Sequence, residues 1–340
     1  MALRPGGATR LAAALIAAAF TLAACGGGGD EGSAESKRTP GAAASAPAQA
    51  GDAPPRVLDE NFPDPDVLKV GNTYYAYATQ PTDNSMNLSL ATSPDLTSWQ
   101  LSSTDPLPNL PMWATAGRTW APDVTQIGDT FVMYITARNT DPDLQCIGVA
   151  KSSKPDGPFE PVGNKALICP AEQGGAIDPA SFVDTDGKRY LLWKNDGNCC
   201  GKDTWLYLQP MTPDGLRTAG APKKLIKQTE GWEGNLVEAP TLVRHGSTYV
   251  LFYSANDYGG EKYATGYATA PKIDGPYEKA DGPLMTTDEI DVIGPGGQDI
   301  VNLPGGKTRI VFHGWDQAIV SRGMYVADLT WEGDRPVVKP

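Results

Sequence analysis

Past residue 56 the apolar residues fall in short runs without a helical period, and the runs recur in one form. VLKVGNTYYAYAT, VTQIGDTFVMYIT, FVDTDGKRYLLWK, LVRHGSTYVLFYS and VNLPGGKTRIVFH each read as a strand, a glycine-bearing turn and a second strand rich in aromatic and β-branched residues. That is the pattern of a β-hairpin. The turn glycines Gly71, Gly128, Gly187, Gly246 and Gly306 follow one another at steps of 57, 59, 59 and 60. A second series, SLATSPDL, GVAKSSKPD, YLQPMTPDG, GYATAPKIDG and YVADLTWEGD, sets Ala91, Ala150, Gln209, Ala268 and Ala327 at a constant step of 59. Four of these segments run on through a Pro- or Gly-marked turn to a short last strand.

A unit of this length with about four strands exposes two apolar faces, and stacking it between copies of itself buries both. Residues 56–340 are therefore expected to form an all-β, five-bladed β-propeller with about four antiparallel strands per blade. A two-sheet sandwich would leave the constant step without a cause.

The segment ahead of the repeats has a different character. Arg4 and Arg10 precede the apolar run LAAALIAAAFTLAA, and small residues lead to Cys25. This is the layout of a secretory signal over 1–24, too short for a convincing membrane span. LAAC resembles a bacterial lipobox, in which Cys25 would be acylated and would tie the chain to the outer side of the cell membrane. Residues 25–55, rich in Gly, Ala, Ser and Pro, read as a flexible tether. The formal net charge of −12 disfavours nucleic acid as a partner, because such binding neutralises phosphates. The four remaining cysteines, Cys146, Cys169, Cys199 and Cys200, favour disulfides in three possible connectivities.

The chemistry gathers where each blade begins. The leads into the first strands are NFPDPDV, TWAPDVTQ, AIDPASFV, LVEAPTLV and GPGGQDIV. Each holds an acid: Asp64, Asp123, Asp178, Glu238 and Asp299. Equivalent positions on radially arranged blades converge on one axis. Grouped carboxylates repel, so some must stay protonated, pair with a cation or stand apart. One protonated carboxyl and one carboxylate across a sugar ring suffice to hydrolyse a glycosidic bond, and a gap of roughly 6.5–9.5 Å leaves room for the attacking water. An Asp beside a proline also caps turns, so each acid taken singly has a structural alternative. Strand alternation does not choose between Asp64 and Asp66, which share a parity.

FPDPDV, WAPDV, IDPASFVDTDGKRYLLW and VEAPTL…GSTYVLFYSA, in this order, resemble glycoside hydrolase family 43. The resemblance spans about Val57 to Trp331. It implies a five-bladed propeller that acts with inversion on arabinan, xylan and related plant polysaccharides. On the matching positions it implies Asp64 as general base, Asp178 as the residue that tunes and orients the acid, and Glu238 as general acid. Trp120, Trp193, Trp232 and Trp315 are expected to line the cleft. Asp123 would hold sugar hydroxyls or a backbone turn, and Gln298 stands where family members commonly carry histidine or asparagine near the substrate. His313 matches a family histidine that ligates or neighbours a central calcium; the alternative is a buried, hydrogen-bonded imidazole. KNDGNCCG departs from the family pattern. A bridge from Cys199 or Cys200 is expected to brace a loop at the cleft rim, with a direct Cys199–Cys200 bond as the alternative. A non-catalytic carbohydrate-binding propeller is the rival function.

Overall fold

In the computed structural model, which describes residues 53–339, each hairpin repeat is the inner half of an antiparallel sheet. Blade one comprises Asp66–Val70, Thr73–Ala78, Ser89–Ser93 and Gln100–Leu101. Blade two comprises Ala114–Ile127, Thr130–Asn139, Leu144–Ser152 and Glu160–Pro161. Blade three runs through Ala176–Val183, Arg189–Asn195, Trp205–Met211 and Lys223–Lys227, and blade four through Val237–His245, Thr248–Ala255, Ala264–Ala270 and Glu278–Lys279. Blade five has Ile293–Asn302, Thr308–Trp315 and Arg322–Glu332. Its outer edge is shared by Arg335–Lys339 and by Arg56–Leu58 from the other end of the domain, both paired with Arg322–Glu332. That pairing closes the ring. The expected five-bladed propeller is the observed fold, and the signal, Cys25 and the tether up to residue 52 lie outside the described residues.

Alternation along the strands divides the core. Phe131, Met133 and Ile135 pack toward blade one with Tyr77, Leu88 and Leu90, whereas Val132 and Tyr134 pack toward blade three with Leu191 and Tyr207. Successive side chains point to opposite faces of a sheet, so one strand serves two cores. Similar clusters fill the gaps between blades three and four, four and five, and five and one. The residues at the constant step of 59 lie on the third strands, all buried. Gln209 holds the place that alanine takes elsewhere, and its amide donates to Pro210 O and Gly220 O.

Two sets of hydrogen bonds join the blades near the axis. In the first, the residue ending the quoted hairpin accepts the amide of the next blade. Thr79 Oγ1 accepts from Ala121 at 2.9 Å, Thr136 Oγ1 from Asp178 at 3.1 Å, Ser254 Oγ from Gly297 at 2.9 Å, and His313 Nδ1 from Asp64 at 3.0 Å. In the second, carboxylates accept from amides one blade on: Asp66 from Val124, Asp123 from Ser181 and Asp299 from Val67. Blade four replaces the carboxylate with Thr241, whose hydroxyl donates to Gln298 O.

The carboxylate set carries an electrostatic cost. Burial pushes Asp123 up to about 7 and Asp299 up to about 6, and raises Asp66 well above the usual range with help from its two acidic neighbours. The native chain thus keeps protons that the unfolded chain has released, so stability falls as pH rises from near 3.8 toward 7. A tenfold gain in proton affinity on folding is worth about 1.4 kcal/mol, so this set is large enough to register in melting. We expect Asp123→Asn, which keeps an acceptor for Ser181, to flatten the fall in Tm across this window. Calorimetry from pH 4 to 7 in chelating buffer measures it, and a fall as steep as that of the unaltered chain contradicts this assignment.

Candidate active site

Every blade bends its inner strand at the same place. Asp64, Ala121, Asp178, Ala239 and Gly297 occupy equivalent positions with φ of 56°, 38°, 54°, 49° and 56°. The ladder register slips at this point in blades two to five, as a bulge beside a functional site does. Gly297 meets the constraint most severely. A Cβ there would lie 2.5 Å from the His313 ring and 2.8 Å from Asp64 Oδ1. The five acids expected at one level are therefore split. Asp64 and Asp178 take the left-handed position itself, Glu238 stands one residue before it, and Asp123 and Asp299 stand two after it, where blade one carries a further acid, Asp66.

This split decides what each acid faces. Asp64, Asp178 and Glu238 line one pocket of about 350 Å3, together with Trp120, Tyr258, Arg322, Tyr263, Thr79, Ile177, Asp196, Asn198 and Cys199. Asp66, Asp123 and Asp299 line the axial channel, which Asp64 and Asp178 also reach.

The three pocket acids have different environments. Asp64 Oδ2 accepts from Thr79 at 2.7 Å, and its side chain is 23% accessible against 12% for Glu238. Glu238 Oε1 accepts from the Tyr263 hydroxyl at 2.8 Å, and Oε2 lies 3.5 Å from Lys194 Nζ. Burial raises the Glu238 carboxyl, opposed by Lys194 and Tyr263. Asp178 Oδ2 accepts from the Ala239 amide at 2.9 Å. Burial first, and the charge of Glu238 second, push Asp178 up to about 8. The Asp178–Glu238 pair thus retains a proton far above the ordinary carboxylate range, beside a more open carboxyl on Asp64. Such a contrast is what acid–base chemistry at one site needs.

Several expected contacts lie elsewhere. Trp193 is 2% exposed and stacks on Tyr207 at 4.1 Å between blades two and three. An aromatic in the middle of a core strand packs there whatever lies beyond the strand's end. Trp232 packs over Gly266 and Tyr253 and borders a neighbouring cavity that shares Tyr263. Trp315 acts at one remove: its Nε1 donates to Tyr258 O, and the Arg322 guanidinium lies 5.2 Å from both the Trp315 and Tyr258 rings. Gln298 spends its amide on Ala239 O and accepts from Ser254, which ties blade four to blade five. Asp123 serves the backbone rather than the pocket, its Oδ2 accepting the Ser181 amide. Of the expected contacts, Trp120 lines the pocket.

His313 bears on the calcium expectation. Nδ1 accepts the Asp64 amide, and burial pulls the ring down to about 3, so it is neutral. Its proton then sits on Nε2, which is buried and has no hydrogen-bond partner among the described residues. His313 thus makes the inter-blade bond through Nδ1, the hydrogen-bonded alternative expected for it. No group of three or more His, Cys, Asp or Glu among the described residues is arranged to hold a metal ion.

The cysteines pair as Cys146–Cys169 and Cys199–Cys200. The second pair is the direct bond between neighbours, and Cys199 does rim the pocket. Composition and spacing did not single out Lys194, Tyr263, Tyr258 or Arg322. The signal for Lys194 was present, because RYLLWK ends on a lysine where the other hairpins end on Thr, Thr, Ser and His.

A propeller that groups two aspartates and a glutamate in one pocket, one pair holding a proton, has the frame of a carbohydrate-active enzyme. The chain belongs to glycosyl hydrolases family 43, whose sequence profile matches residues 55–335. It is 30% identical over 262 residues to an extracellular endo-α-(1→5)-L-arabinanase of Thermotoga petrophila, covering 65% of this chain and 51% of that one. It is 26% identical over 297 residues to extracellular endo-α-(1→5)-L-arabinanase 1 of Bacillus subtilis, covering 82% and 88%. The chain thus spans about half the length of the first relative and most of the second. Among solved structures, a thermostable family-43 glycoside hydrolase superimposes with a TM-score of 0.74 at 28% identity, over 85% of this chain and 96% of that one.

The two tryptophans separate binding from packing. Trp120→Ala is expected to raise KM on a saccharide substrate about tenfold, the loss of one stacking surface, with Tm nearly unchanged. Trp193→Ala is expected to cost about 3–5 kcal/mol of stability with KM of the folded fraction retained. Steady-state kinetics beside denaturant titration reads both, and the reverse pattern would contradict these placements.

Proposed function

We propose that this chain hydrolyses O-glycosidic bonds in arabinose- or xylose-containing plant polysaccharides or oligosaccharides, with inversion at the anomeric carbon. One observation carries the reading: Asp64, Asp178 and Glu238 line a single pocket in unlike environments. Glu238 gives its proton to the leaving oxygen. Asp64, with Oδ2 held by Thr79 and the rest of its carboxyl open, takes a proton from the water that attacks the opposite face. Asp178 shares with Glu238 the proton that the pair retains. Trp120 and Tyr258 offer faces to the sugar, and the Arg322 guanidinium offers donors to its hydroxyls.

The substrate class draws support from relatives named as arabinanases and, at 26% and 27% identity, as a putative β-xylosidase and a β-xylosidase. We further propose that the enzyme works outside the cytoplasm, tethered through a lipid on Cys25. The motif at LAAC supports this, and two arabinanase relatives are named extracellular.

Incubation with arabinan, xylan and aryl glycosides tests the reading, with the first-formed anomer followed by NMR. We expect release of the inverted sugar, and turnover that declines on the alkaline side as the Asp178–Glu238 pair loses its proton. Asp64→Asn and Glu238→Gln should each lower kcat at least about a thousandfold while leaving Tm within a few degrees. Retention on a polysaccharide column without bond cleavage would replace this reading with a binding function.

A further inference from the structure

Four of the five blades end the second hairpin strand on a group that accepts the next blade's amide: Thr79, Thr136, Ser254 and His313. Blade three ends it on Lys194. An ammonium has three donors and no acceptor, so the Ala239 amide turns instead to Asp178 Oδ2 at 2.9 Å. Lys194 itself is 0% exposed. Its Nζ donates to Asn198 Oδ1 at 2.6 Å and lies 3.5 Å from Glu238 Oε2 and 3.7 Å from Asp196 Oδ1.

Burying a cation is costly even when it is paired, and a threonine here would serve the fold as it does in blades one and two. The lysine therefore answers to something other than stability. The loop that anchors it supports this. Asn198 belongs to the short turn Gly197–Cys200 at the pocket rim, and Gly197 is pressed so close to Asp203 O that a Cβ would lie 2.5 Å from it.

We infer that Lys194 is a positioning residue for the general acid: it holds the charge that Glu238 acquires when it gives up its proton. The inference rests on the glycosidase reading above. As the bond from the anomeric carbon to the leaving oxygen breaks, the Glu238 proton passes to that oxygen, and the O–H electron pair stays on the carboxylate. Negative charge thus grows 3.5 Å from the ammonium. An interaction that strengthens toward the transition state accelerates the chemical step rather than binding. Lys194 does not line the pocket, so it acts through Glu238.

The other charged or titratable groups around Glu238 are Asp64, Asp178, Asp196, Tyr258, Tyr263 and Arg322, with neutral His313 stacked behind Tyr263 at 5.9 Å. Tyr263 supplies a neutral donor, and burial and the charge of Asp64 oppose ionisation. Arg322 is held over Tyr258 and Trp315. Among the described residues the salt bridge to Glu238 comes from Lys194.

The test compares the unaltered chain with Lys194→Met on two aryl glycosides of the accepted sugar. One carries a phenyl group, which needs protonation to leave, and the other a 2,4-dinitrophenyl group, which does not. Removing the cation makes Glu238 a weaker acid. We expect kcat for the phenyl glycoside to fall about 10- to 100-fold and its alkaline limb to move up by about one pH unit. The dinitrophenyl glycoside should lose less than about threefold, and KM should stay within about twofold for both. Lys194→Gln, which keeps a donor for Asn198 without the charge, provides the same comparison if the methionine variant does not fold. Equal losses on both substrates with an unmoved limb would overturn the inference and leave the glycosidase reading intact. No hydrolysis by the unaltered chain would overturn both.

Discussion

The arrangement depends on one hydrogen bond repeated around the axis: in four of the five blades a side chain at the end of the hairpin accepts the amide of a left-handed residue in the next blade. Holding a non-glycine residue there costs of order 1–3 kcal/mol, and a satisfied buried amide offsets part of that, since leaving it unpaired would cost about as much. In return, the left-handed conformation turns Asp64 and Asp178 out of the strand's regular alternation and over the pocket. The last such bond, from Asp64 to His313, joins blade five to blade one, as the pairing of Arg56–Leu58 does at the outer edge. The backbone of the proposed base is thus fixed by closure of the whole ring.

Depth along the axis then separates chemistry from structure. Two residues along the chain change an aspartate from a pocket acid to a brace: Asp64 meets Thr79 and the pocket, whereas Asp66 accepts from Val124. The inner acids, Asp123 buried and Asp66 and Asp299 partly so, resist ionisation, yet each ties an amide of the following blade. Their tie is strongest when charged and their burial easiest when neutral. For this reason their protonation bears on stability and not on substrate.

The architecture was legible because it follows from spacing. Steps of 57 to 60 between turn glycines and the constant step of 59 on buried third strands required five similar units, and burial of both faces required a ring. The grouping of Asp64, Asp178 and Glu238 was legible from motifs, though not their offset in depth. Offset depends on φ at Asp64 and Asp178, and residue type does not encode φ for an aspartate as it does for a glycine. The tryptophans misled for a simpler reason. Trp193 and Lys194 are neighbours on one strand and so face opposite ways. The indole points into the core between blades and the ammonium toward Glu238, and a search for aromatic surfaces picks the wrong one of the pair.

Symmetry supplies the place of the site, but identical blades cannot supply its chemistry. At the left-handed position Ala121, Ala239 and Gly297 are inert, and Asp64 and Asp178 are the departures. One residue earlier, Pro63, Trp120, Ile177 and Gly296 are unreactive as acids, and Glu238 is the departure. At the hairpin end Lys194 is the departure among acceptors. These exceptions fall in blades one, three and four; Asp64, Asp178 and Glu238 meet in one pocket with Lys194 against Glu238, and the blades between them keep the common pattern. An added acid at a regular position, such as Ala239, would face Asp178 and Glu238 without a cation of its own. Confining the exceptions to these few positions keeps one shared proton in the pocket rather than several competing ones.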